Sequence, residues 1–341
     1  DVLDLRLAGA AGVPADATAV ALNLTGTRPT SGTHLTVWPT GTVRPETSVL
    51  NLRTGATAAS LVVAGLGGGS ASVRNLAGQV DLVADVVGYY TGSGGDLYHP
   101  GTPARLLDTR TPDGGGRVSD QETRSLVVRG RGGVPSTATA AVLNVTAVGP
   151  SASGFVAVAP AGTPRGTSSV NYAAGETVPN RVVTGLSSDG RVDLFVAGAT
   201  HVLVDVVGWY APASVGGGSG LHALTPSRLV DSRSGTGTPR LPFGAQVTRD
   251  VQVTGVAGVP AGASAVVVSL TGTGASASQT HVSAFPDGTP RPGTSDLNLV
   301  RGQTRANLAV VPLSADGRMS LYNEAGTTDV LADVLGYYYP R

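Results

Sequence analysis

Apolar and polar residues alternate along most of the chain with a period of two. In Ala19–Thr25, Val20, Leu22 and Leu24 fall on one face, and Asn23 and Thr25 on the other. Ala141, Leu143 and Val145 repeat this pattern, as do Val266, Val268 and Leu270. Successive side chains of a β-strand point to opposite faces, so this period predicts half-buried strands; no stretch keeps the 3.6-residue period of an amphipathic helix. Turn signals such as GGVP, SSDG, SADG and GTP break the strands about every 8–12 residues, which suits a sandwich or barrel of short antiparallel strands.

The strands recur in three copies. Gly12-Val13-Pro14 returns as Gly133-Val134-Pro135 and Gly258-Val259-Pro260, each followed by a strand (Ala19–Thr25, Ala140–Thr146, Ala265–Thr271). A proline turn follows each strand, with Arg44, Arg165 and Arg291 just beyond it, and then an SxxN sequence (Ser48–Asn51, Ser168–Asn171, Ser295–Asn298). The copies close on Asp85–Tyr90 (DVVGYY), Asp205–Tyr210 (DVVGWY) and Asp333–Tyr338 (DVLGYY). Two copies open on a further motif, Arg105–Arg110 (RLLDTR) and Arg228–Arg233 (RLVDSR). The first copy has no such opening and lacks roughly 25 residues by this alignment. The units are therefore 1–91, 97–211 and 221–341. The expected fold is all-β: three tandem antiparallel β-sandwiches, jelly-roll-like or immunoglobulin-like, with a β-propeller as the alternative. Glycine-rich joints at Thr91–Gly95 and Ser214–Gly220 favour separate beads over a closed propeller.

Composition narrows the function classes. The 23 basic residues are all Arg and balance 23 acidic ones, with no basic stripe, so nucleic acid is not an expected partner. The absence of Cys excludes disulfides, thiolate metal sites and Cys nucleophiles. The absence of Lys excludes Schiff-base chemistry and a P-loop lysine. No apolar run reaches the ~20 residues of a membrane helix. The five histidines keep no fixed role: His34 and His281 align with Phe155, and His201 with Asp81 and Asp329. Neither HExxH nor GxSxG occurs. No catalytic residue, cofactor or metal site is expected, because an enzyme rarely needs one constellation three times over.

Two sets of recurring residues remain. Asp85, Asp205 and Asp333 sit inside otherwise apolar strands, where a carboxylate is costly unless paired. The expected partners are Arg105 or Arg110, and Arg228 or Arg233, as a structural clamp tying the first strand of a unit to its last. Trp38, Tyr90, Trp209, Tyr210 and Tyr338 either plug the ends of the sandwich cores or stand exposed to stack on sugars.

Together, RLLDTR, GVP…AVLNVT, the proline turn with SxxN, and DVVGYY resemble a tandem repeat of secreted actinobacterial proteins, often found beside cell-wall or polysaccharide hydrolases. The resemblance implies an extracellular, accessory role and supplies no ligand or binding residue. The expectation is a secreted surface protein (stalk, adhesin or filament subunit), with a carbohydrate- or cell-wall-binding module as the alternative. The first unit lacks its opening strand: either that strand lies upstream in the same chain, or, if residue 1 is a processed terminus, the unit exposes a sheet edge able to take a strand from another chain.

Overall fold

A computed structural model describes residues 2–164 and 166–341; Asp1 and the repeat position Arg165 lie outside the described residues. Unit 1 contains β1 (Val2–Arg6), β2 (Ala17–Thr27), β3 (Thr33–Pro39), β4 (Leu50–Leu52), β5 (Ala58–Gly65), β6 (Ser70–Asn75) and β7 (Asp81–Thr91). Unit 2 contains β8 (Asp96–Asp108), β9 (Thr123–Val127), β10 (Ala140–Val148), β11 (Gly154–Pro160), β12 (Val170–Tyr172), β13 (Thr177–Gly185), β14 (Arg191–Ala197) and β15 (His201–Pro212). Unit 3 contains β16 (Ser219–Asp231), β17 (Val247–Gln252), β18 (Ala265–Thr273), β19 (Gln279–Pro286), β20 (Leu297–Val300), β21 (Arg305–Pro312), β22 (Arg318–Asn323) and β23 (Asp329–Pro340).

Each complete unit is a jelly roll. In unit 3 the inner sheet runs β16-β23-β18-β21 and the outer sheet β17-β22-β19-β20, so the first, eighth, third and sixth strands face the second, seventh, fourth and fifth. Unit 2 has the same order. Unit 1 keeps the outer sheet β1-β6-β3-β4, but its inner sheet is only β5-β2-β7, because the strand equivalent to β8 and β16 is absent from it. Each sandwich is filled by the alternating residues of the sequence pattern: Leu143, Val145 and Val204 in unit 2, Val268, Leu270 and Val334 in unit 3. The propeller alternative is not what forms, since the sheets stack face to face in pairs instead of radiating as blades.

The units are not separate beads. β8 and β16 pair at Ser219 and Tyr98, joining the inner sheets of units 2 and 3 into one of eight strands. The second faces of the inner sheets, read from sequence as polar, turn toward one another instead of toward water. There Leu61 and Val63 of unit 1, Val183 of unit 2, and Leu308 and Val310 of unit 3 share one core. At three seams a polar strand residue reaches the SxxN loop of the next unit. Asn23 donates to the Ser168 carbonyl (2.6 Å), Asn144 to that of Ser295 (2.8 Å), and Ser269 to that of Ser48 (2.8 Å). Unit 1 thus holds unit 2, unit 2 holds unit 3, and unit 3 holds unit 1: a closed ring with approximate threefold symmetry. The short glycine-rich joints span contacts that the sheets themselves make.

Tyr90, Tyr210 and Tyr338 meet on this axis, with hydroxyl separations of 2.6 Å (Tyr210–Tyr338), 2.8 Å (Tyr90–Tyr210) and 3.4 Å (Tyr90–Tyr338). Burial raises all three phenol pKa values, so the hydroxyls stay protonated and can donate to one another. Tyr210→Phe removes the shared member. A loss of about 1–3 kcal/mol is expected in denaturant unfolding, because both remaining hydroxyls lose a buried partner; an unchanged midpoint would show that the trio contributes nothing.

Candidate functional site

The recurring aspartates mark the place where strand, seam and charge meet. Asp205 and Asp333 lie on the inter-unit faces of β15 and β23, each 1 % exposed. Asp205 pairs across the sheet with Arg105, and Asp333 with Arg228. Arg105 donates from Nε and Nη2 to the two carboxylate oxygens of Asp205, and Arg228 does the same to Asp333. The planar guanidinium suits this two-pronged contact, which fixes direction as well as charge. Burial pushes both carboxyls up while the arginines pull them back, and burial prevails.

Arg110 and Arg233, the other arginines of the opening motif, do something different. Each folds back two residues, Arg110 onto Asp108 (2.7 Å) and Arg233 onto Asp231 (2.8 Å). Arg105 and Arg228 also reach these aspartates, at 3.0 Å and 2.7 Å. The motif is therefore a self-contained Arg–Asp–Arg lattice that presents its first arginine to the last strand. The clamp also spans units: Arg228 Nη2 donates to the carbonyl of Glu46 in unit 1 at 3.1 Å.

The lattice sets the acid response. The Arg110 and Arg233 guanidiniums hold the carboxyls of Asp108 and Asp231 down at about 2. That is below the roughly 3.9 of an unfolded Asp, so their contribution is complete above that value and lost as pH falls toward 2. Asp205 and Asp333 act with the opposite sign, since a raised carboxyl takes up protons on folding and lowers stability as it ionises. Unfolding curves between pH 5 and pH 2, as round values spanning both limits, should steepen with acid in the native chain. They should flatten in Asp108→Asn/Asp231→Asn; an identical acid loss in that variant would contradict the assignment.

Unit 1 departs from this plan. Asp85 occupies the position of Asp205 and Asp333, yet among the described residues no arginine pairs with it. It lines a groove of about 710 Å3 bounded by Ala84, Val86 and Val87 of β7 and by Thr163 and Pro164 of unit 2.

The aromatics proposed to stack on sugars are mostly covered. Tyr210 and Tyr338 are buried on the axis with Tyr90, and Trp38 is buried in the outer sheet of unit 1. Their rings face protein, so they offer no platform. Trp209 is half-buried, and His99 stacks on one of its faces, with ring centroids 5.9 Å apart and planes 1° apart. His222 stacks on Tyr337 in the same way, at 5.1 Å and 8°. These contacts give His99 and His222 a shared structural place. The aromatic left open is the unit 1 equivalent, Tyr89, at 50 % exposure.

One charged pair was not legible from the repeat. Arg181 of β13, buried near the axis, donates from Nη2 to Asp296 of unit 3 and from Nε to the Leu308 carbonyl (3.3 Å). The corresponding positions in the other units are Leu61 and Leu308, read from the β2–β5 and β18–β21 registers. An arginine replacing leucine in an aligned apolar strand is the signal that points to it. Among the described residues no group of three or more His, Asp or Glu could hold a metal ion, and no helix is long and apolar enough to cross a membrane.

No known family model matches the chain, and no curated protein sequence does. Among solved structures it is similar to the one described as the atomic structure of Sulfolobus Turreted Icosahedral Virus. The two are 10 % identical with a TM-score of 0.20, over 98 % of this chain and 83 % of that one. A second, described as the triple jelly roll fold and turret assembly in an archaeal virus, is 11 % identical with a TM-score of 0.18, over 98 % of this chain and 81 % of that one. Likeness at this level assigns the chain to no family. What identifies it is its own strand order: three antiparallel jelly rolls closed into a ring, the first of them short of one strand.

Proposed function

We propose that the chain is a non-enzymatic structural component of an extracellular surface, a rigid three-unit block that works by contact with other protein chains. The observation that carries this reading is the closed ring, in which one polar strand residue of each unit reaches the SxxN loop of the next. The recurring polar residues support the structural side, because they are spent on clamps and seams. The sequence resemblance supports the secreted location.

Antibody labelling of intact source cells tests the location: surface label is expected, and label only after lysis would contradict it. A polysaccharide partner, the carbohydrate-binding alternative, would have to use the exposed rings of Tyr89 and Tyr339. Retention on a peptidoglycan or glycan array that is lost in Tyr89→Ala would favour that reading over the structural one.

A further inference from the structure

The axis of the ring has two ends. The tyrosine trio closes one of them, beside the last residues of β5, β13 and β21: Tyr90, Tyr210 and Tyr338 lie across from Ala19, Ala140 and Ala265, and these from Gly65, Gly185 and Pro312. At the other end the same three strands begin, and a cavity of about 60 Å3 lies between them. Arg53 of unit 1, Glu176 of unit 2, and Gln303 and Arg305 of unit 3 line it.

The turns leading into these strands align without a gap, at 51–60, 171–180 and 298–307. The charges on them are not part of the repeat. Arg53 stands where the other units have Ala173 and Val300, Glu176 where they have Ala56 and Gln303, and Arg305 where they have Ala58 and Val178. Three charges that the fold does not require therefore meet at one place, one from each unit. In units 2 and 3 no hydrogen bond or ion pair joins these turns to the opening segments at 97–123 and 221–247 among the described residues, so the site does not depend on an opening strand.

The enclosed charge is Arg305. Its side chain is 16 % exposed, and of the five N–H groups of a guanidinium one has a hydrogen bond among the described residues, from Nη1 to the Thr177 carbonyl (2.9 Å). Its Nη2 stands 3.7 Å from Glu176 Oε2, outside hydrogen-bond range, and that oxygen already accepts from the Ala173 N–H (3.3 Å) within its own turn. Burial holds the Arg305 cation below the ordinary arginine value; Glu176 opposes this, and Arg53, the second cation at the cavity, adds to it. Gln303 supplies one more donor. It is 6 % exposed, its Oε1 accepts from the Val300 N–H (3.0 Å), and its Nε2 has no partner among the described residues. Two cations and a free amide donor thus share an enclosed space with one carboxylate. At the same seam Arg181 shows the closed alternative, with Asp296 in direct contact.

We infer that this cavity is a site for one small carboxylate. A second carboxylate brings the two arginines and Glu176 to balance, and an enclosed charge is costly until it is paired. Planar guanidinium donors match the two oxygens of the ligand, and Gln303 Nε2 adds a third direction. The volume holds a carboxylate group or a few waters, and falls far short of the roughly 300–1,000 Å3 of a drug-sized ligand's pocket. The carboxylate is either a free small ion such as acetate or the acidic side chain of another protein chain that reaches into the mouth of the ring. The site stands whether or not the block joins other chains.

The test titrates the intact chain, carrying isotope-labelled arginine, and follows the guanidinium resonances by NMR. Sodium acetate and sodium chloride are added separately to the same ionic strength. Saturable acetate shifts are expected at two resonances, one missing from the Arg53→Ala chain and the other from Arg305→Val. These variants copy Ala173 and Val178 of unit 2, so both should fold, which thermal melts check. Arg53 is exposed, so its variant keeps the test open even if Arg305→Val unfolds. Acetate affinity should fall about tenfold or more in each, the cost of a lost hydrogen bond between charged groups. It should rise by about tenfold in Glu176→Gln, which removes the competing carboxylate. Equal responses to acetate and chloride would show ionic screening alone and overturn the site, as would undiminished acetate affinity in both arginine variants. A blocked peptide with one central glutamate, set against its glutamine counterpart, separates the two sources. Binding of the glutamate peptide at least as tight as that of acetate places the carboxylate on a partner chain, and binding of acetate alone makes it a free ion; either outcome supports the site.

Discussion

Replacing Arg228 by alanine should destabilise the chain by about 3–5 kcal/mol, the cost of stripping a buried carboxylate of its partner. Among the described residues Arg228 is the cation in contact with Asp333; its second contact is the Ser48 backbone across the seam, and it is almost fully buried. The loss should appear in denaturant unfolding as a lower midpoint. Arg105→Ala should behave alike, since Asp205 is equally enclosed. The pair itself contributes far less than the damage suggests, because both ions lose hydration on folding. Arg228→Met/Asp333→Leu should therefore recover most of the loss. Asp85→Asn supplies the contrast: with no ion pair to it among the described residues, it should change stability by no more than about 0.5 kcal/mol. Equal losses in Asp85→Asn and Arg228→Ala would show that the aspartates act through something other than the arginine contact.

Asp296→Ala should cost a similar amount, about 3–5 kcal/mol, by leaving the Arg181 guanidinium buried without its carboxylate. Arg181 is 1 % exposed and bridges units 2 and 3. The ring itself offers the repair. The unit 3–unit 1 seam places Leu308 and Val49 where this seam has Arg181 and Asp296, and both are buried. The double change Arg181→Leu/Asp296→Val copies that apolar solution, and should be neutral or stabilising by about 1–4 kcal/mol relative to the native chain. A double variant as unstable as Asp296→Ala would mean that the pair contributes net stability. A role for the pair in registering the units is compatible with the predicted gain, since among the described residues the ion pairs between units, Arg181–Asp296 and Arg305–Glu176, both join units 2 and 3.

The strands and their inward faces were legible because burial of a sheet face forces a period of two. Val20, Leu22 and Leu24 are core residues for that reason. The aspartates stood out equally plainly as charges in apolar strands. The ring was not legible. Asn23 and Thr25 alternate with the core residues as a solvent face would, yet both are buried, because the second face of the sheet meets another unit. Period alone separates two faces and does not say which of them sees water. The unbroken Ala19-Val20-Ala21-Leu22 run was the available hint, since strands buried on both sides lose their polar positions. The choice between the two motif arginines was likewise hidden. Arg110 and Arg233 are taken up by aspartates two residues away, a local geometry that spacing does not distinguish from a cross-strand pair. Arg181 and Asp296 escaped because they do not recur, and a comparison of repeats finds what the copies share.

The central claim is that the three units close into one ring whose inner sheets share a core. Hydrogen–deuterium exchange read separately over β2, β10 and β18 tests it most directly. All three strands should show protection approaching that of global unfolding and should lose it together. Exchange in which one unit opens while the other two stay protected would contradict the account.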